Sequence, residues 1–155
     1  MTTASGAFNV IKSRLLANKP AALSAYRFQN EDEDSAGNKE LPNSPTPFAY
    51  AEFVTDPGRL VSFGGGRGNN RYRNPGRLDV YVFTPKGEGL TGVTDLAETI
   101  AALFRSYRDD DISCFDATVH PGGQGSDFRP AGVASEVDNY FVAVAEISMH
   151  FDLIG

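Results

Sequence analysis

The sequence has a single cysteine, Cys114, and two histidines, His120 and His150, in 155 residues. One thiol excludes an internal disulfide, and two histidines leave little material for a metal centre. Basic residues are also short: 14 Lys and Arg against 20 Asp and Glu give a formal charge of −6 and a pI near 4.8. That balance excludes the broad cationic face that coats duplex DNA or anionic membrane, so any nucleic-acid contact is local. No window of about 18 apolar residues occurs, and the opening MTTASGAFNVIKSRLLANKP has no continuous apolar core. Neither a membrane span nor a signal peptide is predicted, and the chain reads as intracellular.

Motifs of catalysis are equally scarce. FGGGRGNNRYRNPG, Phe63 to Gly76, packs five glycines and three arginines into an acidic chain. A P-loop needs its glycines to end in Gly-Lys-Ser/Thr at a helix start. Here they lead into Arg67, Asn69 and Asn70 and then a strand, and a dinucleotide fingerprint fails for the same reason. The local reading is a hairpin tip whose glycines supply positive φ. No G-x-S-x-G elbow is present. Cys114, Asp116 and His120 follow one another at spacings that put residues on one strand face, with His150 on another strand, so a metal cluster is weighed. A small core residue is the better reading of Cys114. Asp109, Asp110 and Asp111 read as a solvated turn at a helix end. The sequence predicts neither an enzyme nor a cofactor.

What is present is a clear alternation of elements. Phe8, Ile11, Leu15 and Leu16 share one face of a short amphipathic helix capped by Ser5 and stopped by Asn18 and Pro20. LSAYRFQN is extended, and residues 31–47, acidic and proline-rich, form an exposed loop. FAYAEFVT and RLVSF are strands broken by the turn Asp56 to Gly58, and RLDVYVFTP is a strand covered on both faces. Thr94 caps a second helix that runs to about Tyr107, with Leu96, Ile100, Leu103 and Phe104 as its buried stripe. ISCFDATVH is extended, and Phe141 to Leu153 alternates so that one face is wholly apolar. The order predicts one α+β domain over 1–155: a two-layer sandwich, with a mixed or antiparallel sheet and two helices packed on one face. The glycine and arginine loop is placed at 64–76. Arg67, Arg71 and Arg73 around Tyr72, with Arg77 beyond, either grip a phosphate backbone or pair with acidic neighbours such as Glu31 to Asp34.

The arrangement as a whole resembles the tail terminators and related minor tail proteins of long-tailed bacteriophages. Its carriers are the N-terminal helix, AYRFQNEDE, TPFAYAEFV, the basic glycine loop and the closing strand YFVAVAEISMHFDL. The best-matching piece is Gly76 to Ser106, where G-x-L-x-V-x-V-F-x-P-x-G-x-G precedes the second helix. The 31–47 loop is longer than that family's pattern. The resemblance implies a structural virion protein, a homo-oligomer forming a six-fold ring at the head-proximal end of the tail. Such a ring caps the tail tube protein, halts its polymerisation and docks to a neck or head-completion protein. It also implies that Arg67, Arg71, Tyr72 and Arg73 form a loop facing DNA in the channel or an adjacent subunit. Another neck or head-tail joining protein, or a small nucleic-acid-binding module using those arginines, are the alternatives.

Overall fold

The computed structural model describes residues 2–62, 64–124 and 139–155. Two helices and six strands follow the chain in the order α1 (Ala4–Ala17), β1 (Tyr26–Phe28), β2 (Phe48–Thr55), β3 (Arg59–Leu60), β4 (Arg71–Pro85), α2 (Leu90–Ala102), β5 (Ile112–Gln124) and β6 (Tyr140–Ile154). The strands form one sheet in the order β1-β2-β4-β6-β5, with β3 also on β4. Only β1 runs parallel to its neighbour; the other pairs are antiparallel. The sheet is therefore mixed, and the fold is an α+β two-layer sandwich, as the periodicity predicts.

Alternation along the strands sets the two faces. Ala49 and Ala51, Leu78, Val80 and Val82, and Ala143, Ala145, Ile147 and Met149 point to the helices and are buried. Against them lie Ala7, Ile11 and Leu15 of α1 and Val93, Ala97, Ile100 and Ala101 of α2. The helix boundaries differ from the sequence reading. Thr3, not Ser5, caps α1 by accepting the Gly6 N–H at 3.1 Å, which moves the stripe onto Ala7 and leaves Leu16 41% exposed. The second helix starts at Gly89, whose φ of 82° suits glycine, and Thr94 lies one turn inside it, donating to the Leu90 carbonyl. It ends at Ala102, so Leu103 is half-buried while Phe104 packs fully in the core.

Arg14 latches the two helices together. Its Nε donates to the Leu103 carbonyl at 2.8 Å and its guanidinium sits 3.7 Å from the centre of the Tyr107 ring.

A proline accounts for the break between β2 and β3. Pro75 pairs with His150 on β6, and its carbonyl accepts the Asp56 N–H on the β2 side. In an antiparallel ladder a residue's N–H and C=O face the same neighbour, so the donor Pro75 lacks is missing on the β2 side. The neighbour turns through Asp56 to Gly58 there and resumes as β3.

The 31–47 segment is exposed over much of its length but pinned. The Tyr26 N–H donates to Ser35 Oγ and the Ser35 N–H to the Tyr26 carbonyl, so the segment hydrogen-bonds the edge of β1. Leu41 folds onto a second apolar cluster of Phe48, Tyr50, Phe83, Tyr140 and Val142 on the helix-free face.

Candidate interaction surface

The glycine loop is shorter than the sequence implies. Strand pairing begins at Arg71, opposite Ile154, so the loop ends at Asn70, which exchanges two backbone hydrogen bonds with Gly155. Residues 71–76 belong to β4 because alternation with β6 continues through them. Gly64, Gly66 and Gly68 take positive φ, the turn role assigned to them.

The four candidate residues separate accordingly. Arg67 sits exposed in the loop. Tyr72 lies on the opposite face of β4 from Arg71 and Arg73, in register with Leu60 and Leu153. Arg71 and Arg73 converge on Asp152 of β6. Arg71 Nε donates to Asp152 Oδ2 at 2.8 Å and its terminal nitrogen makes a second, shorter contact; Arg73 Nε donates to Oδ1 at 3.0 Å. Hydrogen bonds from Arg73 and Arg71, working against burial, hold the Asp152 carboxyl down to about 2. Two of the three loop arginines are therefore strand residues with an intrachain partner, and that partner is Asp152 rather than the 31–34 run. Glu31 pairs with Lys12, and Asp34 with Arg27. Sequence could not find Asp152, since the contact spans 81 residues.

The thiol and histidine readings also resolve. A register shift between Cys114 and Asp116 interrupts the alternation of β5, so Cys114 opposes buried Met149 while Asp116 opposes Ser148 on the other face. Residues two apart there do not share a face. Burial pushes the Cys114 thiol up to about 12, which makes it an unreactive core residue. No group of three or more metal-ligating side chains occurs among the described residues. Asp109 is no merely solvated residue: its carboxylate accepts from the Tyr107 hydroxyl and from the N–H groups of Asp111 and Ile112. Burial raises its proton affinity, but these bonds outweigh that and lower its pKa.

A feature the sequence reading missed lies on the helix-free face. Glu52 opposes Asp79 across β2 and β4, and Asp79 opposes Glu146 across β4 and β6. Three carboxylates thus stand in one cross-strand row, and like charges directly opposite destabilise a sheet. Asp79 is 5% exposed. Its Oδ2 accepts from Arg77 Nε at 3.0 Å, while its Oδ1 is buried without a hydrogen-bond partner. Burial, with Glu146 and Glu52 adding to it and Arg77 opposing, raises the Asp79 carboxyl above the usual range. A shallow depression of about 270 Å³ opens beside the row, lined by Arg77, Asp79, Tyr81, His120, Val144 and Glu146. The signal was present in sequence as Glu52, Asp79 and Glu146, but only register aligns them.

A second row crosses the same face nearer the loop: Arg59 opposes Arg73, and Arg73 opposes Asp152. His150 lies between the two rows, 5.0 Å from the Phe115 ring, and burial followed by Arg73 lowers its pKa.

Among the described residues these features define a small α+β domain whose candidate polar surface is spread over one sheet face. A solved structure whose name states no activity shares this fold over 100% of this chain and 99% of that one, at 15% identity and a TM-score of 0.52. No protein-family model and no curated protein matches the chain. No helix among the described residues is long and apolar enough to cross a membrane.

Proposed function

We propose that this chain is a structural subunit of a bacteriophage tail, a tail-terminator-like protein that assembles into a ring on the head-proximal end of the tail tube. The ring stops tube polymerisation and offers a docking surface to the neck or head-completion protein. It is assembled in the host cytoplasm and carried in the virion, and its role is mechanical rather than catalytic.

The observation that carries this reading is the helix-free sheet face, where a buried carboxylate oxygen without a donor sits in a row of like charges. An isolated domain gains nothing from that row, whereas a subunit contact can neutralise it. The resembling stretch Gly76 to Ser106 supports it further, because it spans one structural unit: most of β4, the tight turn at Gly87 and Gly89, and α2. The passing-DNA role rests on less than the sequence implied. Arg71 and Arg73 are already engaged by Asp152, which leaves Arg67 as the loop cation for a channel.

Mass by light scattering and negative-stain imaging of the purified protein test the proposal. A closed ring, expected with six subunits, supports it, and adding the protein to polymerising tube protein of the same phage should shorten the tubes. A monomer at all concentrations that leaves tube length unchanged would overturn it.

A further inference from the structure

Three carboxylates meet one guanidinium, that of Arg77, at the Glu52–Asp79–Glu146 row. Among the described residues the other basic side chains of this face do not relieve the row: Arg27, opposite Tyr50 on β2, is held by Asp34 and the Asn38 and Lys39 carbonyls, and His120 borders the depression beside the row. Arg73 is six residues along β4 from Asp79, roughly 20 Å at strand rise, and the loop lies beyond it. Arg59 and Arg67 are both exposed, and neither has an ion-pair partner among the described residues. Arg59 projects on the same face as Arg73, its directly opposed neighbour, at the root of the hairpin arm formed by β3, the glycine loop and the start of β4. One chain thus carries an acidic row with a buried Asp79 oxygen lacking a donor, and a separate cationic arm that cannot fold back onto it.

We infer that the hairpin arm of one copy docks on the acidic row of the next, Arg59 and Arg67 of the first copy lying over Glu52, Asp79 and Glu146 of the second. This inference deepens the ring reading and rests on it. In the ring reading the contact is used head to tail, each arm on the row of the next copy, and such a heterologous contact closes into a ring when its rotation returns to the start. Arginine suits the acceptor row because its planar fork donates to two carboxylate oxygens at once, and a guanidinium beside Glu52 and Glu146 offsets the like charge that surrounds buried Asp79. The glycines of the loop let the arm settle on a neighbour without straining the strands that hold it.

Two reversed variants test the contact. Glu52→Lys with Glu146→Lys makes the row basic; Arg59→Glu with Arg67→Glu makes the arm acidic. Asp79 is left alone because it is buried, and thermal melts of each variant check folding. Each variant alone should lose its assembled fraction by roughly tenfold or more, since like charges then meet. Mixed one to one, they should co-assemble into a ring of alternating subunits, because each basic surface again faces an acidic one. Reversed variants that assemble as well as the parent would overturn the contact and leave the ring standing. A mixture that forms only a closed dimer would keep the contact and overturn the ring. A parent protein that stays monomeric at low salt and high concentration would overturn both.

Discussion

At Asp152 two guanidinium groups converge on one carboxylate that is 7% exposed. Replacing it with Asn removes charge-assisted hydrogen bonds worth about 1–3 kcal/mol, toward the low end because both arginines are close to half-exposed and screened by water. The pH dependence has a definite sign. A carboxyl depressed to about 2 in the folded chain stabilises it above the unfolded value of about 4, and that stability is lost as pH falls from there toward 2. Urea midpoints of parent and Asp152→Asn should therefore differ at pH 7 and converge near pH 2. Asp79 has the opposite sign. Its carboxyl is raised by burial, so its charge costs stability at neutral pH and the cost disappears as pH falls through the raised value. In the dissociated subunit, Asp79→Asn should raise the melting temperature at pH 7, with a gain that shrinks on acidification. A lowered melting temperature at pH 7 would contradict that account of the row.

Among the elements, β6 and α2 meet across the main core, to which β6 brings Ala143, Ala145, Ile147, Met149 and Phe151. Ile147 is fully buried between them, and Ile147→Ala should cost about 2–5 kcal/mol in chemical denaturation. Leu103→Ala should cost less, because that residue caps α2 half-buried and its backbone carbonyl, which alanine keeps, makes the Arg14 contact. The element order and the inward face of β6 were legible because strict period-2 alternation over Phe141 to Leu153 has one physical explanation. Helix starts were less legible: Ser5 and Thr94 look like caps, but Thr3 caps α1, and α2 begins after Gly89 with no side-chain cap at all. The phase of β5 was not legible at all, since a bulge at Phe115 leaves no mark in composition yet moves Cys114 and Asp116 to opposite faces. The candidate site was half legible for a related reason. The arginines stood out as a cluster, whereas Asp152, Glu52, Asp79 and Glu146 join them only through strand register.

For the whole molecule, the arginines now have separable effects. Arg67→Ala should leave the thermal melt unchanged, because an exposed loop side chain buries little, while Arg71→Ala with Arg73→Ala should lower it by uncoupling Asp152. Assembly through exposed charges should also weaken with salt, as screening shortens from about 10 Å at 0.1 M to about 3 Å at 1 M; sedimentation across that range should show mass falling, and a salt-indifferent ring would argue for apolar contacts instead. The ladder between β4 and β6 has a mechanical meaning as well. From Arg71 opposite Ile154 to Pro85 opposite Tyr140 it runs unbroken over the full length of both strands, roughly 50 Å. Tension applied at Arg71 and Tyr140, at opposite ends of the pair, loads its hydrogen bonds in parallel, so they must shear together. Tension applied at Arg71 and Ile154, at one end, opens them singly. Handles at the first pair of positions should therefore rupture at much higher force in single-molecule pulling than handles at the second. A subunit strained along its strands would then behave as a stiff strut that can still be peeled from the loop end.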